Sequence, residues 1–296
     1  MPSTRPSIGY HILALVTIAV WGTTFVSTKV LLSHGLTPPE IMFYRFIIAY
    51  ALTWIFTRKV WADTWKDELL LALAGFTGGT LYFLAENTAL DYSITSNVAL
   101  VVCVTPVLTA LLTSLCYKER ITARLVVGSV VALLGVGFVV LNGTVLKIHP
   151  LGDALALVAA MAWAVYSVVI RRFDGCYTTW FVTRKVFFYG IVTMIPFIAA
   201  GMGGGLHLDK LTIPVVLGNV LFLSVLASML CFYSWNLVLE KIGTIRASNY
   251  MYTQPLVSLA CSVAVLDEPI TPIALGGTVL ILSGIYLAEH GWKKRT

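Results

Sequence analysis

The chain of 296 residues is 58% hydrophobic and 11% charged, with a mean hydropathy of +0.87 and a formal net charge of +6. An ordinary soluble domain carries about 25% charged residues, so this composition excludes a water-soluble globular domain. The Lys and Arg behind the net charge sit in loops and tails, a distribution that orients a membrane protein and presents no basic face to a nucleic acid.

In chain order, the apolar runs predict ten spans near 9–31, 39–57, 69–90, 95–117, 122–142, 151–171, 178–200, 214–238, 244–265 and 272–290. Each is about 20 residues, enough at ~1.5 Å per residue to cross a ~30 Å hydrocarbon core. Pro38 and Pro39, the Asp91 to Ser93 stretch, Asn142 and Gly143, and Pro269 punctuate the runs, and Gly201 to Gly205 forms a flexible link. The first run follows a short polar segment and carries no small-residue cleavage site, so it reads as a retained span. The five cysteines never form a C-x-x-C pair and read as small apolar fillers, and no metal or cofactor site is expected.

A shift of 149 positions lays Asn87 on Asn236, Thr95 on Thr244, Pro106 on Pro255, Glu119 on Glu268, Gly128 on Gly277 and Gly135 on Gly284. Matched Leu and Val mean little in an apolar chain, but Asn, Pro, Glu and Gly in order point to an internal duplication. The earlier spans match with gaps, Trp21 with Trp163 and Arg45 with Arg184. Positive charge collects on one side: Arg5, Arg58, Lys59, Lys66, Lys118, Arg120, Arg124, Arg171, Arg172, Lys241 and the tail from Lys293. The other side has little beyond Lys147 and Lys210. Both termini are therefore expected in the cytoplasm. Five spans per half is an odd number, so the halves cross in opposite senses. The expected fold is an all-α integral membrane protein of ten transmembrane helices in two five-helix halves forming an inverted repeat. Residues 1–143 form the first half, 150–290 the second, and 291–296 a cytoplasmic tail.

Ten spans in two halves, a W-G-x-x-F run at Trp21 to Phe25, Arg45 with Phe46, and Pro106 with Glu119 repeated as Pro255 with Glu268 carry a resemblance. The chain resembles the EamA family of the drug/metabolite transporter superfamily over essentially its whole length, and within it the YddG-type amino-acid exporters. The resemblance implies a secondary transporter of the bacterial inner membrane that moves small metabolites, amino acids included, outward.

Candidate site residues are polar and aromatic groups at mid-span depth, which are costly facing lipid. Span three offers Tyr82, Glu86 and Asn87; span six Trp163 and Tyr166; span eight Trp235 and Asn236; span nine Asn249, Tyr252 and Gln254. Trp21 and Trp163 lie too far from span ends for interfacial belt residues. For each ring, packing competes with a place in a cavity. Pro106 and Pro255 kink spans four and nine, leave the carbonyls of Val102 and Met251 without their helical donors, and are hinge candidates. Arg45 and Arg184 begin one to two turns inside their spans, within snorkelling reach of the interface. Glu86 lies roughly a turn from the outer end, too shallow for a buried proton carrier and placed to accept an ammonium at an outer gate. Glu119 and Glu268 suit capping or loop pairing. Gly75 and Gly79 form a small-residue face for close helix packing.

No phosphate loop, H-E-x-x-H or gathered nucleophile-and-base set occurs, which argues against ATP hydrolysis and against an intramembrane enzyme. A non-transporting scaffold has no need of polar mid-span residues in both halves. The expected activity is export of small metabolites, most of all aromatic and other neutral amino acids, by alternating access around a central cavity. Nucleotide sugars, phosphorylated metabolites or drugs are the alternative cargo. The partners are the substrate, the bilayer and an ion gradient, with proton coupling and facilitated diffusion both open.

Overall fold

In hydrocarbon every backbone N–H and C=O must be satisfied within the protein, which leaves helices as the way across for this sequence pattern. The computed structural model describes residues 8–93, 95–140, 149–200, 205–257, 260 and 271–290, and where described all ten expected segments are helical. The expectations on Arg5, Asn142, Gly143, Lys147, the link over 201–204, Cys261, Glu268, Pro269 and the tail beyond His290 lie outside the described residues.

Span one is Ile8–Ser33 and span two Pro38–Thr53. Span three joins Trp65–Gly75, Phe76–Leu81 and Tyr82–Tyr92, and span four joins Thr95–Val102 to Thr105–Tyr117. Span five is Ala123–Val140, span six Pro150–Ile170 and span seven Thr179–Ala199. Span eight joins Pro214–Leu221, Phe222–Leu230 and Cys231–Ile242; span nine begins with Thr244–Asn249 and Tyr250–Thr253, and span ten is Pro272–His290. Seven helices among the described residues are long and apolar enough to cross a membrane unaided. Thr64 accepts the Asp67 N–H to start span three, and Thr178 accepts that of Phe181 to start span seven. Gly243, at φ 87, makes the turn between spans eight and nine, a conformation that favours glycine. Leu115, Val130, Val279 and Leu282 project outward, as a hydrocarbon surround requires.

Two departures from plain α-helix recur at repeat-equivalent places. The middle pieces of spans three and eight, Phe76–Leu81 and Phe222–Leu230, are π-helical, and a shift of 149 carries Leu81 onto Leu230. Span four breaks at Cys103 and Val104, and span nine tightens to 3₁₀ over Tyr250–Thr253, both just before the prolines expected to interrupt them. The expected free acceptors, however, are filled locally. The Thr105 hydroxyl donates to the Val102 carbonyl at 2.6 Å. The Gln254 N–H donates to that of Met251. A tightened turn satisfies what proline leaves open.

Spans five and ten cross with backbone against backbone. A Cβ placed on Gly128 would lie 2.6 Å from the Gly284 carbonyl oxygen, and one on Gly135 2.6 Å from that of Gly277. Moving seven residues forward along span five moves seven residues back along span ten, so the two helices run antiparallel. They are repeat mates, so the halves cross the membrane in opposite senses. Gly75 and Gly79 play the same close-packing part against span seven, with ideal Cβ positions 2.5 Å from the Tyr189 Cβ and 3.2 Å from the Gly190 Cα.

The loops sort by charge at the two ends. At one, Tyr177 donates to Asp67 and Arg171 pairs with Glu119 at 2.5 Å. Arg184 donates to the Thr57 carbonyl at 2.6 Å, and Lys59 lies over the Tyr177 ring. At the other, Lys210 donates to the Gly35 carbonyl, and buried Glu40 accepts from the Thr37 and His207 backbones. Glu119 thus takes the expected loop pairing. Near the basic end Lys185 is buried and paired with Glu68, which also accepts from Tyr189.

The glycine crossing makes a paired prediction. Gly135→Ala forces a methyl into the Gly277 backbone, an overpacking cost of about 1–3 kcal/mol that exceeds the ~1 kcal/mol Ala gains in a helix interior. Gly137→Ala, whose added Cβ meets nothing within 4 Å, keeps the gain without the clash. In detergent Gly135→Ala should melt below the parent protein and Gly137→Ala at or above it; indistinguishable melts would show that the crossing is looser than described.

Candidate functional site

The sequence places Trp21 and Thr24 on span one, Arg45 on span two, and Tyr82, Phe83 and Glu86 on span three. Trp163 is on span six, Phe232 on span eight, and Met251 and Gln254 on span nine. These ten residues line one cavity. The first six come from one half and the last four from the other, so the cavity lies on the seam. It leaves about 40 Å³ open to the centre of a water molecule, room for roughly three waters.

Its walls are aromatic. Trp21 and Trp163 meet edge to face with ring centres 5.2 Å apart; Tyr82 and Phe232 lie 5.0 and 5.6 Å from Trp163. Edge-to-face geometry suits ring quadrupoles. The Trp21 indole donates to the Ala227 carbonyl at 2.9 Å, within the π-helical part of span eight. The Trp163 indole N–H is buried and without a partner among the described residues. The carbonyl of Trp163 accepts the Ser167 hydroxyl, so the helix is satisfied and the ring donor is what remains open.

Two charges share this space. Arg45 is 4% exposed, so it does not snorkel: Nε donates to the Ser228 hydroxyl at 2.7 Å and the guanidinium lies 4.5 Å from the centre of the Phe83 ring. Span two is short, which puts Arg45 at its middle, where it is buried by the protein. Glu86 is 6% exposed and accepts the Tyr82 hydroxyl at 2.7 Å. Span three ends at Tyr92, so the carboxyl lies six residues inside the helix end, near the expected place, and is covered there by the protein.

Of the sequence-predicted residues, Trp21, Tyr82, Glu86, Trp163 and Gln254 come together at the cavity wall. Tyr166 and Trp235 form a layer behind it, 5.0 Å from Trp163 and 5.4 Å from Trp21. In that layer Tyr166 donates to Asn236 at 2.5 Å, and Asn236 donates to Thr183 at 2.9 Å. Asn236 also lines a smaller pocket at the basic end, with Asp174, Tyr177 and Glu240. Asn87 and Asn249 are buried away from the cavity, and Tyr252 packs among Cys103, Ala132, Val136 and Ile281. Pro106 and Pro255 sit at the helix interruptions, Pro255 next to the wall residue Gln254.

Arg45, Phe83, Phe232, Met251 and Thr24 were not among the cavity candidates of the sequence, Arg45 having been placed within snorkelling reach of the interface. Phe83 and Phe232 carried a usable signal, since they are repeat mates at the shift of 149. Met251 and Thr24 carried none, being ordinary residues of apolar helices.

The EamA-like transporter family matches the chain twice, over residues 8–141 and 150–289. An uncharacterized transporter of Archaeoglobus fulgidus is 28% identical over 93% of this chain and 97% of its own. A probable amino-acid metabolite efflux pump of Escherichia coli strain K12 is 27% identical over 96% of each. A probable terminal-alkyne amino-acid exporter of Streptantibioticus cattleyicolor is 24% identical over 93% of this chain and 92% of its own. A solved crystal structure superposes with a TM-score of 0.77 over 95% of this chain and 98% of the other, at 19% identity, which bears on the fold alone. Two antiparallel halves, a cavity on their seam and a match to each half in turn agree: the chain belongs to the EamA-like transporter family, and is a multi-pass membrane transporter, not an enzyme.

Proposed function

We propose that the protein exports small neutral metabolites, amino acids foremost, from the cytoplasm across a bacterial inner membrane by alternating access. The observation that carries this reading is the cavity on the seam, aromatic on its walls and polar at Arg45, Glu86 and Gln254. Rocking one half against the other would open it to either side in turn. The layer of Tyr166, Asn236 and Thr183, tied together by its own hydrogen bonds, separates it from the basic end and serves as the inner gate. The interruptions at Pro106 and Pro255 supply the bending points. The efflux role printed for the Escherichia coli relative supports the outward direction. A cargo rich in phosphate fits less well, because the cavity's arginine shares the space with a carboxylate that repels phosphate.

The experiment is flux of labelled amino acids in liposomes carrying only this protein, with and without a proton gradient. Trp163→Ala should stay monodisperse in detergent yet lose at least about tenfold in flux per folded molecule. Trp163→Phe keeps a ring but removes the open N–H, and should change the order of preference among side chains. Normal specific activity in monodisperse Trp163→Ala would remove the cavity from the transport path.

The charged loops support an orientation with the basic end in the cytoplasm. A cysteine at Lys59 should label with an impermeant reagent from the cytoplasmic side, and one at Lys210 from the opposite side. Labelling of both positions from one side would refute the proposed orientation.

A further inference from the structure

Arg45 and Glu86 line the same cavity yet make no ion pair within 4.0 Å. Opposite charges in a water-poor interior attract strongly, so a pair left apart has to be held apart. Each is tethered elsewhere: Arg45 to the Ser228 hydroxyl and the Phe83 ring, Glu86 to the Tyr82 hydroxyl. The Nη donors of Arg45 make no hydrogen bond among the described residues, and Tyr82 occupies a single oxygen of Glu86. The buried Trp163 indole N–H on the same wall is also open. A cationic fork, a carboxylate and an unpaired donor thus face one space, with aromatic rings filling the rest of its wall.

Resting on the amino-acid reading above, we propose that Arg45 and Glu86 form a split zwitterion subsite. Arg45 takes the α-carboxylate, with help from the Trp163 N–H, and Glu86 takes the α-ammonium. The side chain of the substrate is left to Trp21, Trp163 and Phe232. Guanidinium and carboxylate match in planar geometry, and an ammonium is a compact multiple donor. A zwitterion neutralises both buried charges at once. A molecule with a single charge satisfies one and leaves the other unpaired and desolvated, which is costly. Recognition would therefore read the part common to all α-amino acids, while the aromatic wall grades their side chains.

The test uses purified full-length protein in detergent and reads binding by indole fluorescence and thermal shift. The probes are L-phenylalanine, N-acetyl-L-phenylalanine, which is anionic, and L-phenylalaninamide, which is cationic. The parent protein should bind L-phenylalanine at least about tenfold more tightly than either blocked form. Glu86→Gln should lose that preference and gain about tenfold for the N-acetyl anion; Arg45→Gln should gain about tenfold for the amide. Should either variant fail to fold, Arg45→Lys and Glu86→Asp keep the charge and test geometry, with an expected loss of about tenfold for L-phenylalanine and no gain for a blocked form. Parallel loss of all three probes in both Gln variants, or equal binding of free and blocked forms by the parent, would overturn the subsite while leaving amino-acid transport intact. No response of the parent to L-phenylalanine or to a panel of the twenty protein amino acids would instead overturn the amino-acid reading, and this subsite with it.

Discussion

Four glycines let spans five and ten approach until backbone touches backbone, and this crossing sets the relation between the two halves. Lipid tails are as apolar as leucine side chains, so no hydrophobic driving force joins helices inside a membrane, and close van der Waals fit has to do it. Gly128 meets Gly284 and Gly135 meets Gly277, while the sequence shift pairs Gly128 with Gly277 and Gly135 with Gly284. Each residue touches the repeat mate of the other, which is the contact pattern of a two-fold axis. Because the helices are antiparallel, that axis lies across the membrane normal. Spans one to three then face spans six, eight and nine across a seam, and the cavity occupies it.

The departures from ideal helix obey the same relation and explain how side chains reach across. A π-helical turn widens the helix and shifts its carbonyls out of the regular ladder, and such turns cluster where helices do more than span. In span eight that stretch presents the Ala227 carbonyl to Trp21 and the Ser228 hydroxyl to Arg45. In span three it contains Thr80, whose hydroxyl donates to the Gly190 carbonyl, and Gly78, against which the Tyr166 ring lies. The second-half stretch therefore holds residues of the first half, and the first-half stretch holds residues of the second. Local irregularity and global symmetry support the same arrangement.

Much of this was readable from residues alone. Ten segments, the duplication, the close packing of Gly75 and Gly79 and the mid-helix places of Trp21 and Trp163 followed from apolar runs, breakers and internal repetition. Arg45 and Glu86 were harder, because distance along a helix from its predicted end does not say which neighbours cover it. Their burial depends on how spans two and three pack, which is tertiary information. The π turns left no trace, since Phe76–Leu81 and Phe222–Leu230 share no breaker or motif. The satisfied carbonyls before the prolines depended on a neighbouring Thr105 hydroxyl and a tightened turn, details finer than a hydropathy pattern carries.

Symmetry also shows where the site departs from it. Trp21 with Trp163, and Phe83 with Phe232, are repeat mates and both members of each pair line the cavity. The charges do not follow. Arg184, the mate of Arg45, lies near the basic end on the Thr57 carbonyl and over Trp54. The mate of Glu86 at the shift of 149 is Trp235, an apolar ring packed against Trp21. A cavity symmetric in its charges would hold two arginines and two carboxylates, and would have no preferred way round for a small dipolar cargo. Placing both charges on the first half gives the space a direction. The duplicated rings give each half its own share of the aromatic wall. Shape is thus shared between the repeats, while polarity belongs to one of them.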